Sequence, residues 1–283
     1  IVLARYLLTP ASFGLLHYAL SIIGVTAILG TLGLPASAAR YVNEFSETAP
    51  ERVRYVVRFG VGAVTVVAVA VGAALAVGSG ELAARLAEPG LAPLLVLGAG
   101  YVVLNSLYKT FSRLFQAVNR VDWSARVKTV SGVTRLLGAV VFVLAGYDAL
   151  GALGGYVLGF GLAVGLAGTV FYRDFYAQFP SAGEIGDGLR RRILEYSVPL
   201  TATRGANVLD KRVDTLLVGF FLGPTAVGYY TIAKQVSEFG SIPAQSLGYT
   251  ISPTVGEQYA GEDVSRARRV YEQSLRHVLL LYV

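Results

Sequence analysis

The sequence contains no cysteine and no methionine, and only 15% of its 283 residues are charged. Without cysteine the chain has no disulfide bond, no thiolate metal site and no cysteine nucleophile. His17 and His277 are the only histidines and lie far apart, so no zinc site is expected. No phosphate-binding P-loop is visible, and the chain is not expected to hydrolyse ATP. We expect neither a metal nor a cofactor.

Hydrophobic residues make up 54% of the chain, and 33 glycines accompany them. Soluble domains contain about 45–50% apolar residues even when glycine is counted. The excess excludes a water-soluble enzyme domain and indicates a membrane protein. Since nascent chains start with methionine, and this sequence begins and ends with hydrophobic residues, we expect a fragment of a longer protein with a partial span at each end.

Runs long enough to cross a bilayer recur along the chain. A transmembrane helix needs about 20 predominantly apolar residues. With the two partial spans, the sequence predicts about nine spans in an all-α, multi-pass membrane protein. The complete ones cover residues 13–34, 59–78, 89–108, 129–146, 149–172, 194–222 and 226–250.

Lysine and arginine are distributed unevenly among the connections. Alternate connections hold sixteen of them, within residues 40–58, 109–128, 173–192 and 266–269. The other connections hold only Arg5 and Arg85. Because loops rich in Lys and Arg stay in the cytoplasm, the sequence predicts a cell-membrane protein with cytoplasmic arginine-rich loops. No nucleic-acid partner is expected from the net charge of +6.

The triplet Arg190-Arg191-Arg192 belongs to one of these basic connections. Membrane topology explains it, because positive charge there fixes the orientation of the neighbouring spans. The alternative is a functional role, in which the triplet docks the headgroups of anionic lipids. The sequence leaves both interpretations open.

Two segments of the chain, residues 3–19 and 217–233, resemble each other at a constant offset. The identical pairs are Leu3/Leu217, Leu8/Leu222, Pro10/Pro224, Gly14/Gly228 and Ala19/Ala233. In each copy a span ends, a short turn follows, and proline stands in the first turn of the next helix, where no N–H donor is needed. Since an even number of crossings separates the copies, they predict parallel repeats with a substrate site between them.

The span over residues 194–222 carries a polar stripe. Its members are Ser197, Arg204, Asn207, Lys211 and Asp214, flanked by Asp210 and Arg212. Their intervals of seven, three, four and three residues place them on one helical face. A charge at the bilayer centre costs about 2.5–3.5 kcal/mol on insertion scales, so five charges in this segment cannot face lipid.

A second stripe follows in the next span, and two single charges lie elsewhere. The stripe consists of Lys234, Glu238, Ser241 and Gln245, and the single charges are Arg135 and Arg40. One interpretation is that ion pairs hold the helices together. The pairs would be Lys211 with Asp214, Arg204 with Asp210, and Lys234 with Glu238.

The other interpretation is a water-filled cavity whose cations bind an anionic cargo. The substrate-binding candidates are Arg204, Asn207, Lys211, Arg212, Lys234, Arg40 and Arg135. The candidates for a coupling proton or Na⁺ are Asp210, Asp214 and Glu238.

Glycines recur four residues apart in the span over residues 149–172. Their spacing does not match a dinucleotide-binding loop. The pairs Gly155/Gly159 and Gly161/Gly165 therefore predict close packing between helices.

Several short motifs lie along the chain in a fixed order. The first is the opening Leu3-Ala4-Arg5-Tyr6-Leu7-Leu8-Thr9-Pro10-Ala11-Ser12-Phe13-Gly14. The others are Leu32-Gly33-Leu34 with Ala39-Arg40-Tyr41-Val42, Leu194 to Leu200, Val213 to Gly219, and Val227 to Ala233. In this order the motifs resemble those of the polysaccharide biosynthesis flippases, the Wzx-type branch of the MOP superfamily, which is related to the MATE exporters.

The resemblance implies two six-helix lobes that face a central cavity. Residues 1–192 would form the N-terminal lobe and residues 193–283 the start of the C-terminal lobe. It also implies translocation of a glycan linked to a polyprenyl or dolichyl phosphate or pyrophosphate, with membrane lipids and glycan-assembly enzymes as partners. A MATE-like multidrug exporter and a membrane glycosyltransferase or polymerase are the alternatives.

Overall fold

A computed structural model of the chain describes residues 7–180 and 188–260, together with Arg268, Glu272 and Arg276. For residues 243–260 it describes the backbone alone. His277, residues 1–6 and the partial span predicted at the C-terminal end lie outside the described residues. The described part is helical and contains no strand, which confirms the predicted all-α class.

Seven α-helices make up the described part. Their bounds are α1 Pro10–Leu29, α2 Leu34–Thr48, α3 Pro50–Arg85, α4 Leu91–Ala117, α5 Val121–Phe142, α6 Asp148–Asp174 and α7 Leu189–Ala260. A π-helical turn, Val143–Tyr147, joins α5 to α6, and a 3-10 turn, Tyr176–Gln178, follows α6.

The span predicted over residues 13–34 ends earlier than expected. Helix α1 starts after Thr9, whose side chain accepts a hydrogen bond from the Ser12 N–H, and it stops at Leu29. Leu32 and Gly33 then adopt left-handed conformations, with φ of 43° and 69°, which a helix cannot contain. The following residues form the separate helix α2, which the hydropathy of the sequence does not reveal.

Among the described residues, five helical segments are long and apolar enough to cross a membrane. Two of them, Val121–Gln178 and Leu189–Ile242, contain 58 and 54 residues. At about 1.5 Å per residue, each far exceeds a bilayer core of about 30 Å. Each is interrupted by a glycine with positive φ, Gly146 and Gly223, at the turns that the sequence predicts. The number of crossings itself stays a prediction.

The chain forms two compact units, residues 1–229 and 230–283. In the second unit the described helix continues from Tyr230 to Ala260. The lobe boundary predicted between residues 192 and 193 stays a prediction.

The first unit has a hydrophobic core at the arginine-rich ends of its helices. Phe115 of α4 packs edge-on against Phe171 of α6, with ring centroids 5.4 Å apart. Leu34 of α2, Val56 of α3 and Ile193 of α7 belong to the same cluster, and each is at most 1% exposed. This core holds the C-terminal end of α4 and the N-terminal end of α7 in place on that side.

Helices α5 and α6 approach each other through glycines. A Cβ at Gly155 would overlap the backbone nitrogen of Ala139, and one at Gly159 would lie 2.8 Å from the carbonyl oxygen of Ser131. The prediction of close packing is thus confirmed for this pair. The same prediction is wrong for Gly161 and Gly165, because a Cβ at Gly161 would make only an ordinary contact and a Cβ at Gly165 would have nothing within 4 Å.

The two copies of the sequence repeat contact each other. A Cβ at Gly14 would overlap the carbonyl oxygen of Pro224, and a Cβ at Gly228 would overlap the carbonyl oxygen of Pro10. Equivalent glycines therefore meet equivalent proline carbonyls, as a local two-fold relation requires. We call this contact between α1 and α7 the glycine seam.

Replacing Gly155 by Ala is expected to destabilise the protein by about 1–3 kcal/mol, because the new Cβ overpacks the contact between α5 and α6. The matched change Gly165→Ala on the same helix meets open space and gains about 1 kcal/mol of helix propensity. Thermal unfolding in detergent should therefore shift in opposite directions for the two variants. Equal shifts would show that the glycine contact does not limit packing.

The glycine seam predicts non-additive mutations. Gly14→Ala and Gly228→Ala should each lower the unfolding temperature, since either Cβ forces α1 and α7 apart. Once the helices have separated, the second Cβ costs less, so the double variant should lose less stability than the sum. The combination of Gly14→Ala with Gly155→Ala, which affects two different helix contacts, serves as the additive control. Full additivity within the seam would contradict the reciprocal contact.

Candidate functional site

Two sides of α7 differ in character. One side carries the predicted stripe, and its first member, Ser197, is buried and donates a hydrogen bond of 2.7 Å to the Ile193 carbonyl. The opposite side presents apolar residues outward, such as Val213 and Phe220, which are 44% and 57% exposed. The stripe therefore lies apart from the side that suits lipid.

The members of the stripe are accessible to different degrees. Arg204 and Asp214 are half-buried, whereas Asn207 and Lys211 are exposed. Lys211 and Asp214 each have an interaction partner. Asp214 Oδ1 also accepts a hydrogen bond of 2.6 Å from the Thr215 N–H.

Arg212 docks on α1. Its Nη1 donates a hydrogen bond of 2.6 Å to the carbonyl oxygen of Leu20. Gly24 makes room for the guanidinium, because a Cβ there would lie 2.5 Å from the Arg212 Cζ. Arg212 thus joins two helices through a backbone acceptor, and this bond leaves its positive charge unneutralised.

Helix α4 contributes two cations, Lys109 and Arg113, which the sequence predicts to lie in a cytoplasmic connection. Lys109 lies within electrostatic range of both Arg204 and Arg212, and Arg113 lies within range of Arg204. Helix α4 extends to Ala117, so both residues are helical and four positions apart. The (i, i+4) spacing of the two cations is the feature of the sequence that indicates a shared helical face. We call Lys109, Arg113, Arg204 and Arg212 the basic cluster.

The basic cluster is electrostatically unfavourable by itself. Like charges repel more strongly in the low-dielectric interior of a membrane protein than in water. Within the described part of the chain, neither Lys109 nor Arg204 forms a salt bridge, and Lys109 is exposed. Such an arrangement attracts an anion, since an incoming negative charge relieves the repulsion.

Arg135 of α5 lies beside an aromatic wall. Its guanidinium stands 4.8 Å from the centroid of the Tyr156 ring. Tyr101 packs against Phe160, with ring centroids 5.2 Å apart, and is within electrostatic range of both Arg135 and Arg212. Tyr101 therefore lies in the region between Arg135 and the basic cluster.

Arg40 is exposed on α2 and lies over the ring of Tyr196, 4.4 Å from its centroid. Tyr196 is in turn within electrostatic range of Arg204. Tyr196 is exposed and lies eight residues before Arg204 on α7.

The expected ion pair between Arg204 and Asp210 is absent among the described residues. Six positions along an α-helix turn the second side chain about 120° away from the first, which separates the two charges. Asp210 is exposed on that other side. No group of three or more His, Asp and Glu residues in the described part is arranged to hold a metal ion.

Lys234 and Glu238 lie in the second unit. The Lys234 Nζ stands 6.0 Å from the centroid of the Tyr230 ring. Glu238 is exposed, and its carbonyl oxygen accepts a hydrogen bond of 2.8 Å from Ser241 Oγ. Their roles in a substrate site stay predictions.

Solved transporter structures share this fold. One is an inward-facing multidrug resistance MATE family transporter of the MOP superfamily, with a TM-score of 0.65 and 13% identity. Another is the MATE multidrug transporter DinF-BH, solved as a ligand complex, with a TM-score of 0.58 and 18% identity. The comparisons cover 96% of this chain but only 64% and 63% of those chains.

At these identities the structural likeness confirms the MATE-like fold, and the fold alone. None of the curated proteins matches the sequence. The family model described as polysaccharide biosynthesis protein matches residues 1–256. The chain therefore belongs to the polysaccharide biosynthesis protein family, as its motifs predicted.

Proposed function

We propose that this chain forms part of a flippase that moves a lipid-linked oligosaccharide across the cell membrane. The phosphate or pyrophosphate of the headgroup would pass along the basic cluster, while the lipid tail stays in the bilayer. The observation that carries the proposal is the convergence of cations from α4 and α7, supported by the family's description in terms of polysaccharide biosynthesis.

The chemistry of the basic cluster suits a phosphate group. Arginine presents several N–H donors in a planar fork that matches phosphate oxygens, and lysine adds a compact positive charge. Arg204 and Lys109 lie on different helices within electrostatic range of each other, so a phosphate bound near both would relieve their repulsion. Lys211 and Asn207 continue the polar face of α7 and would bind sugar hydroxyls or acidic sugars.

The remaining candidates have subsidiary roles in this mechanism. Arg135, with the aromatic ring of Tyr156 beside it, would bind the glycan farther into the cavity. Arg40 would meet the headgroup on the arginine-rich side, which we place in the cytoplasm. Lys234, in the second unit, would bind acidic sugars.

Transport would be driven by a substrate or ion gradient. The acidic candidates Asp210, Asp214 and Glu238 would bind the coupling proton or Na⁺. Asp210 fits this role because it is exposed and forms no salt bridge within the described residues. Glycan-assembly enzymes would supply and consume the cargo.

A multidrug exporter of the MATE type is the second candidate, and the shared fold favours it. A site dominated by lysine and arginine repels cationic drugs, which favours an anionic cargo instead. A membrane glycosyltransferase or polymerase is the third candidate. It requires catalytic carboxylates outside the membrane, and the longest predicted external connection, around residues 80–92, offers only Glu81 and Glu88.

Removing the charge of Arg204 or Lys211 is expected to slow translocation at least about tenfold, because a hydrogen bond to a charged group contributes about 1.5–3 kcal/mol. The measurement is the movement of a fluorescent lipid-linked oligosaccharide by the intact protein in liposomes, for Arg204→Gln and Lys211→Gln. Arg85→Gln is the matched control, since Arg85 pairs with Glu81 on the surface at 2.8 Å.

The amount and unfolding temperature of each variant decide between the two interpretations of the stripe. Near-normal values with slow translocation support a substrate role. Loss of folded protein would instead support ion pairs that hold the helices together. Export of cationic dyes, with no movement of the glycan lipid, would establish the exporter.

A further inference from the structure

A groove runs between α3 and α7 of the first unit, and no member of the basic cluster lines it. Both helices pack on α2 and leave a space of about 770 Å³ between them. Helix α2 approaches α7 closely at Ser37, whose Oγ donates a hydrogen bond of 2.8 Å to the Ile193 carbonyl. The groove therefore has a tightly packed floor and two helical walls.

Charge is confined to one end of this groove. Its walls are largely apolar and include Phe59, Val66, Leu194 and Val198. Val66 and Val198 are 70% and 69% exposed, which suits contact with hydrocarbon. Among the described residues that line the groove, only Arg58 and Arg190 are charged.

The two arginines mark the level of the membrane surface. Arg58 is the last charged residue before the uncharged part of α3, and Arg190 is the second residue of α7. From these positions the walls extend to Val67 on α3 and to Ala202 on α7, nine and twelve residues farther. At about 1.5 Å per residue the groove is about 14–18 Å long, close to half of a bilayer core.

Both arginines can bind an anion. Arg190 Nε donates a hydrogen bond to the Tyr55 hydroxyl, which fixes the guanidinium at the mouth of the groove and leaves its other N–H groups available. Arg58 is exposed and has no salt bridge within the described residues. Two guanidinium groups at the membrane surface match a lipid phosphate.

A second groove, of about 400 Å³, lies on the other side of α3. Its walls include Phe111, Phe171 and Tyr172, and it shares Arg58 and Gly62 with the first groove. Arg58 thus stands where two apolar grooves meet. One headgroup with two hydrocarbon chains fits this arrangement better than a lipid with a single long chain.

We propose that this surface binds an anionic glycerophospholipid of the adjacent leaflet. The phosphate lies between Arg58 and Arg190, one acyl chain fills the groove between α3 and α7, and the other fills the groove beside α6. The bound lipid links α3 to α7 on the outside of the protein. The inference does not depend on the transported cargo, because the ligand is a constituent of the bilayer.

Native mass spectrometry of the intact protein in detergent tests the proposal, with phosphatidylglycerol and phosphatidylcholine of identical chains as ligands. Phosphatidylglycerol should bind more tightly. Each of Arg58→Gln and Arg190→Gln should weaken it about fivefold, the effect of removing one arginine contact with an anionic lipid. Arg192→Gln is the matched control, since Arg192 is exposed in the same triplet but does not line the groove.

The variant Gly62→Leu tests the apolar part of the proposed lipid site, because it leaves every charged residue unchanged. A Cβ at Gly62 meets nothing within 4 Å, so the leucine fills the grooves without disturbing the helix. This variant should keep its unfolding temperature in lipid-free detergent and lose most of its lipid binding.

Four results would overturn the proposal: equal binding of the two phospholipids, unchanged binding by the arginine variants, full competition by inorganic phosphate, or tighter binding of a polyprenyl phosphate at the same arginines. The third would indicate a free-phosphate site, and the fourth a site for the carrier lipid. Translocation of the glycan lipid is measured separately, so failure of lipid binding leaves the proposed transport function unaffected.

Discussion

The cost of exposing charge to hydrocarbon determines the arrangement of the whole molecule. Helix α7 carries Arg204, Lys211 and Arg212 in a segment flanked by apolar residues, and each charge is costly at that depth unless it faces protein or water. The helix satisfies this constraint by turning its apolar side outward and its polar stripe away from that side. Arg212 docks on α1, and in the proposed mechanism the exposed members of the stripe would face a hydrated cavity.

The other helices provide the acceptors and the space that α7 requires. Gly24 admits the guanidinium of Arg212, and the Leu20 carbonyl accepts its hydrogen bond. The aromatic core around Phe115 and Phe171 positions α4, and Lys109 of this helix lies within electrostatic range of Arg204. Small residues and aromatic packing in the first unit therefore hold the helices in the arrangement that brings the cations of the basic cluster within range of one another.

Hydropathy and spacing predict much of this architecture. The uncharged runs predict where α3, α4 and α6 lie, and the prolines and glycines predict the breaks at Gly146 and Gly223. The segment that carries Ser197, Arg204, Asn207, Lys211 and Asp214 is helical as predicted, and their role in a cargo site stays a prediction. These features depend on local sequence, because helix periodicity and chain breaks are encoded within a few residues.

Features that depend on three-dimensional contacts could not be predicted. Counting charges along the sequence places Lys109 and Arg113 in a loop, because the count ends the transmembrane span at the first lysine. The helix α4 itself continues to Ala117. Hydropathy also does not indicate the left-handed turn at Leu32 and Gly33, because the uncharged run of the sequence continues through it. Gly161 and Gly165 have the same spacing as Gly155 and Gly159, yet only Gly155 and Gly159 meet a neighbouring backbone. Which side of a helix meets a partner depends on the rest of the fold.

The glycine seam has a mechanical consequence. At Gly14 and Gly228 the two helices approach through main-chain atoms, each glycine lying against a proline carbonyl of the other helix. Side chains join the same two helices farther along, where Arg212 of α7 donates to the Leu20 carbonyl and the Tyr18 ring of α1 packs against Gly219. Any relative movement of α1 and α7 is therefore limited by these two side chains and not by the seam itself.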